Sequence, residues 1–176
     1  MDPDPCVYRY SFVTGVLPVR VETRLRDEVG AVITDHGPLQ VVTAAGSGFS
    51  GYAAGVDLVA RLSALGAPVE RTQPDLVDRR LIAQRAGCTR QAVALWVNGQ
   101  RHQGDPFPLP FNLTLGQTWL WGEVKAWLLR RGIDVAETAE IPTMHDHMRV
   151  DSHIAHRRAE YRAVAAGARG VGPVNG

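Results

Sequence analysis

Cysteine is scarce in this chain of 176 residues: there are two, Cys6 and Cys88, far apart and in unlike surroundings. That argues against a disulfide framework and against a zinc site, and for a reducing compartment; a cytoplasmic protein is expected. No apolar run reaches the roughly 20 residues that span a bilayer, so no membrane partner is expected. The opening MDPDPC is acidic where a secretory leader is basic, so no signal peptide is expected. Paired carboxylates, a Ser-His-Asp set and a Cys-His pair do not stand out at useful spacing. The chain is therefore not expected to be an enzyme, and no catalytic residue and no cofactor is assigned. Four histidines gather late in the chain, His145, His147, His153 and His156. His153 and His156 would share a helix face, but no cysteine joins them and the spacing matches no common zinc pattern, so no metal is expected.

Net charge is nearly absent as well, at +1, but its distribution is uneven. Residues 1–75 hold six Lys/Arg against nine Asp/Glu, residues 76–132 eight against three, and residues 133–176 five against six. Positive charge thus collects in the middle third. Because neutralised phosphates supply most non-specific affinity for nucleic acid, that is the segment to inspect for a DNA contact.

Within it, Asp78–Asn98 reads DRRLIAQRAGCTRQAVALWVN. Leu81, Ile82, Ala83 and Ala86 cluster at helical spacing. Gly87 supplies the left-handed residue that commonly ends a helix. Thr89 is placed to cap a second helix, whose inner stripe is Ala92, Val93, Trp96 and Val97. Arg90, Gln91 and Asn98 fall on the opposite side. Two short helices across a tight turn make a helix-turn-helix, with small Ala83 allowing close approach and Val93 filling the gap. The Thr-Arg-Gln start is where a recognition helix presents groups to the major groove; Arg pairs with guanine and Gln with adenine. An ordinary core hairpin is the plainer alternative.

After it, Phe107–Phe111 is a Pro-interrupted extended run, an edge strand at best. Asn112–Gln117 is turn-like and Thr118–Trp121 a second short strand, so a small hairpin or wing is expected. Glu123–Arg130 reads as a helix with Val124, Trp127 and Leu128 inward and Lys125 outward.

The run IAQRAGCTRQAVALWVNGQR, then FPLPF, then TWLWGEVKAWL, resembles the winged helix-turn-helix of the MerR and excisionase (AlpA-like) superfamily, as carried by small actinobacterial regulators. The resemblance covers about a third of the chain. It implies double-stranded DNA binding through the helix from Thr89, with the wing on the backbone. The chain departs from that pattern after Gly99. A Gly-Pro-Gly-rich turn is replaced by Arg101-His102-Gln103-Gly104-Asp105-Pro106, which would set the Asp105 charge near the phosphates.

Ahead of this unit, Val7–Leu17 is rich in β-branched and aromatic residues and predicts a strand. Val21–Val29 predicts a helix, Ala31–Thr34 and Leu39–Ala45 two strands across an Asp-His-Gly-Pro turn, Ser50–Leu65 a helix and Ala67–Arg71 a last strand. The order βαββαβ is the ferredoxin-like arrangement, used for ligand sensing, dimerisation or scaffolding. Gly46-Ser47-Gly48-Phe49-Ser50-Gly51 fits GxGxxG, with Glu70 at a passable distance. A dinucleotide site needs a parallel βαβ unit, whereas the strands here predict a tight hairpin, so a flexible loop capping the helix is the expectation. Gln73–Val77 reads as a connector, with Asp75 or Asp78 capping the next helix. Asp134–Pro142 reads as loose. Thr143–Ala166 can form a polar helix that contacts a partner or lies on the surface, and Gly167–Gly176 reads as disordered.

The expectation is therefore an α+β protein in three parts: residues 1–73, a ferredoxin-like domain; 74–132, a winged helix-turn-helix; 133–176, a C-terminal helix and tail. Its function is sequence-specific double-stranded DNA binding, as a transcriptional regulator that pairs as a homodimer. Arg90, Gln91 and Asn98 approach bases, Thr89 caps and touches phosphate, and Arg79, Arg80, Arg101 and Lys125 hold the backbone. The alternative is a protein–protein adaptor whose helix pair docks a partner without DNA.

Overall fold

A computed structural model describes residues 4–101, 104–114 and 116–169, with side chains to residue 164. The structure is mixed α+β. Strand β1 (Cys6–Gly15) runs through the middle of the first sheet, followed by α1 (Val19–Val29), the hairpin β2 (Val32–His36) and β3 (Leu39–Gly48), α2 (Gly51–Ala64) and β4 (Val69–Thr72). The four strands stand in the order β2-β3-β1-β4, every neighbouring pair antiparallel. Alternation in β1 sends Tyr10 and Phe12 to one face, where they meet Val42 of β3, Val21 and Leu25 of α1, and Leu58 and Leu62 of α2. Arg9, Ser11 and Val13 take the other face.

The glycines of the GxGxxG run are not a flexible loop. Gly46 and Gly48 lie within β3. A Cβ on Gly46 would sit 2.8 Å from Cγ of Leu58, and one on Gly48 would sit 2.7 Å from the backbone nitrogen of Ala54. They let α2 lie directly on the strand, and Ser50 caps α2 by accepting from the Ala53 N–H.

A second unit follows. Its elements are β5 (Leu76–Val77), α3 (Arg79–Arg85), α4 (Arg90–Val97), β6 (Trp119–Leu120) and α5 (Trp121–Arg130). All four tryptophans of the chain meet in its core, with Ile82, Val93, Phe107, Val124 and Leu128. The expected pairing of the wing is corrected here. β6 pairs with β5, inside the stretch read as a connector, and not with Phe107–Phe111. Pro108 and Pro110 have no N–H to give a ladder, and that segment forms no strand. It meets β6 and its lead-in through an isolated Asn112–Thr118 bridge, the Phe111 N–H to the Thr118 carbonyl, and the Trp119 indole to the Pro108 carbonyl.

The last helix, α6 (Met144–Arg169), is not a surface helix along its first half. Val150 and Ile154 are buried in the core of the first sheet, and Asp151 accepts a hydrogen bond from the Thr72 N–H. The stretch from Asp134 to Pro142, expected to be loose, is pinned at several points. Glu140 exchanges backbone hydrogen bonds with Val7 and Arg9 on the edge of β1 that the short β4 leaves open. The indole of Trp121 donates to Glu137, and Ile141 packs over Gly122. The helix runs on through Gly167 to Arg169; the rest of the expected disordered tail lies outside the described residues, as do His102 and Gln103. Among the described residues no helix is long and apolar enough to cross a membrane.

His147 of α6 is 3% exposed and lies edge-on to Tyr10 at 5.3 Å between ring centres. Its Nδ1 has no hydrogen-bond partner among the described residues. Burial lowers its pKa below the ordinary 6.5, against the weaker upward pull of Asp151 and Asp146. The unfolded chain therefore takes up a proton at this residue before the folded chain does. Stability contributed here is present above pH 6.5 and lost as the pH falls below it, by up to about 1.4 kcal/mol per pH unit. Urea midpoints on either side of that pH are expected to drop on the acid side in the wild type, and to drop less in His147→Phe. Equal drops would mean the imidazole is not the group that titrates.

Candidate nucleic-acid interface

The α3–α4 pair is built by local chemistry. Asp78 starts α3 by accepting from the Leu81 N–H at 2.7 Å. Gly87, at φ 62°, turns the chain, and the Cys88 N–H returns to the Ala83 carbonyl at 2.9 Å. Thr89 then caps α4, its hydroxyl accepting from the Ala92 N–H at 3.1 Å. Val93 and Trp96 face inward, and the Trp96 ring lies 5.4 Å from that of Trp127. The indole of Trp96 is thus packing material for the core.

The other side of α4 is open. Thr89, Arg90, Gln91 and Asn98 are exposed, as are Arg80 on α3 and Arg101 beyond α4. Among the described residues no carboxylate pairs with Arg80, Arg90 or Arg101, so the helix pair and the residue just past it carry three exposed guanidinium charges without an acidic partner. Arg79 is more restricted. It is half-buried, donates to the Gln117 side chain at 2.7 Å and stands 6.0 Å from the Trp119 ring centre.

Lys125 does not belong to this face. Expected to point outward, it is 7% exposed, and its ammonium donates to the Ala139 carbonyl at 2.7 Å. The reason is the strap after α5, which covers that side of the helix and which no local pattern announces. A buried ammonium satisfied by a carbonyl cannot hold a phosphate.

Asp105 also differs from its sequence reading. Its carboxylate is engaged by Arg130 and Arg131, at 3.4 and 3.1 Å, and its carbonyl accepts from the Trp127 indole at 3.0 Å. The charge faces α5 and is offset there by two arginines.

One feature of the surface was not read from sequence at all. Leu109 and Leu113, 84% and 73% exposed, together with exposed Phe111, form an apolar tip on the segment before β6. The signal was available in FPLPFNL. Prolines at alternate positions bar the run from a sheet interior and, past Phe107, leave its apolar side chains without a layer to pack against.

No family model matches the chain, and no curated protein or solved structure gives a match.

Proposed function

We propose that the protein is a sequence-specific binder of double-stranded DNA, acting as a transcriptional regulator in the cytoplasm. In this reading α3 and α4 are a winged helix-turn-helix of the MerR and excisionase type. α4 enters the major groove, with Arg90, Gln91 and Asn98 toward bases and Arg80 and Arg101 on phosphates. The β1–β4 unit with its two helices is read as ferredoxin-like, since the order β2-β3-β1-β4 is the one that arrangement requires. One short helix reads few base pairs, so a homodimer on half-sites about 34 Å apart, or a multiple of it, completes the model.

The observation that carries the reading is the start of α4. A capped helix presents Arg90 and Gln91 to solvent, bracketed by arginines with no acidic partner among the described residues. Unpaired cations flanking side chains able to form bidentate base contacts suit a groove better than a protein core.

The apolar tip favours a second reading, a protein–protein adaptor, because exposed Leu109, Phe111 and Leu113 would suit an apolar partner surface. Fluorescence anisotropy on a site selected from random duplexes, measured against salt, separates the two. DNA binding predicts affinity that falls steeply with salt. Arg90→Ala should weaken the selected site about tenfold and relax its sequence preference, while Arg101→Ala should weaken all duplexes alike and lower the salt slope by about one. No salt-dependent binding to any duplex would leave the adaptor; binding that neither substitution changes would mean that α4 is not the reading helix.

A further inference from the structure

Among the described residues no helix packs flat on the face of the four-stranded sheet away from α1 and α2. Ladder register puts Ser11 beside Thr43, Val13 beside Val41, and Arg71 of β4 beside Val13 on this face. The connection through Pro74 and Asp75, with Arg85 of α3, forms a wall along one side and makes of the face an open cavity of about 560 Å³. It therefore lies where the sheet and α3 meet.

Its chemistry is one-sided. Three arginines and one carboxylate line it, Arg9, Arg71, Arg85 and Asp75; Glu137, just outside the lining, also pairs with Arg9, so one positive charge is left in excess. Asp75 is already shared: Arg9 holds it at 2.6 Å, and Arg85 grips both its oxygens at 2.7 and 3.1 Å. Arg71 is held only by neutral oxygens, the Thr72 carbonyl at 3.1 Å and the Gln73 amide at 2.9 Å. Among the described residues no carboxylate pairs with it. The floor is the Ser11–Thr43 hydroxyl pair, 2.8 Å apart, flanked by Val13, Val41 and Leu39. A pre-formed guanidinium without a counter-charge, over a part-apolar floor in a cavity of metabolite size, is built for an anionic head on an apolar body.

We propose that this cavity binds a small organic anion, a carboxylate or phosphate ester with an apolar body, its head on Arg71 and facing Arg9. At Arg9 the anion competes with both Asp75 and Glu137, and so loosens the ion-pair tie that runs from β1 through Asp75 to α3. That regulatory half rests on the DNA reading above; the binding itself does not.

The test uses the full chain with labelled valine methyls and three probes: benzoate, phenyl phosphate and the neutral benzamide. Benzoate or phenyl phosphate should shift the Val13 and Val41 methyls saturably and leave Val93, in the other core, unmoved. The tighter of the two identifies the head group. Benzamide should bind at least about tenfold more weakly, and Arg71→Gln should weaken the anion by a similar factor, since a charge-assisted pair is lost in each case. Should the variant unfold, the comparison of benzoate with benzamide decides alone. The site is refuted if neither anion gives saturable shifts at both valines, or if benzamide or Arg71→Gln matches the parent pair. Adding the bound anion to the duplex titration tests the second half. An unchanged duplex affinity overturns the regulatory coupling. A chain that binds no duplex removes the DNA reading, and the methyl shifts still decide the cavity.

Discussion

Trp127→Ala is expected to cost about 3–5 kcal/mol of folding stability. The indole is fully buried at the centre of the second core, 5.4 Å from the ring of Trp96 and 5.0 Å from that of Phe107. Arg131 stands over it at 5.6 Å, and its N–H donates to the Asp105 carbonyl. Truncation removes more than the transfer energy of the ring. Its neighbours come from α4, α5 and the segment before β6, three pieces that cannot all move inward, so much of the volume stays empty. The Asp105 carbonyl loses one of its two donors but keeps Arg131 at 3.1 Å, so the cost comes from the lost packing. Trp127→Phe keeps most of the volume and should lose less than half as much. Urea unfolding followed by circular dichroism measures both. A loss under about 1 kcal/mol for the alanine variant would mean that this core is not packed as described. The functional consequence follows from geometry: Trp127 backs Trp96, and Trp96 fixes which way Arg90 and Gln91 face.

Gly55→Leu is expected to cost about 3 kcal/mol and to release the last helix from the sheet. The position lies in mid-helix on α2, where a larger residue would ordinarily strengthen the helix. Here even a Cβ would stand 2.6 Å from Cγ2 of Val150 and 2.9 Å from Cζ of Tyr10. Tyr10 cannot yield freely, because it is fully buried and its hydroxyl donates to the Gly51 carbonyl at 2.9 Å. The yielding side is α6, held on the sheet by Val150, Ile154, His147, the Asp151 bond to β4 and the Arg158–Glu70 ion pair. Limited proteolysis should then cut within α6, at sites protected in the wild type, while Trp fluorescence from the second core stays native. Protection that matches the wild type would show that α6 does not depend on this close approach.

The two substitutions probe different cores, yet the cores are joined. Arg9 of the sheet pairs with Asp75 and Glu137, and Asp75 pairs with Arg85 of α3, whose guanidinium lies 4.9 Å from the Trp121 ring centre. By sequence alone Asp75 is a candidate cap for the next helix or part of a connector. Asp78 does the capping, and Asp75 ties the two units.

Much of the local structure was legible in the residues. Alternation of aromatic and β-branched side chains marked β1, four-residue spacing marked α1, and the turn clusters marked the breaks between elements. Gly87 and Thr89 marked the bend and cap before α4, and the spacing of Trp96 from Val93 marked it as core. These signals act over a few residues, through backbone conformation and capping hydrogen bonds, so the chain carries them wherever it folds. Tertiary structure alone decided the rest. β6 chose β5 as its partner across forty residues of chain. The strap from Asp134 to Pro142 buried Lys125, whose place on its helix looked outward. The Gly46–Gly51 run served close packing of a helix on a strand, though its letters match a phosphate loop. α6 became part of the first core although Asp151 breaks its apolar stripe, because that carboxylate found the free N–H of Thr72. In each case the deciding energy is a contact between residues far apart in sequence, which neither propensity nor periodicity records.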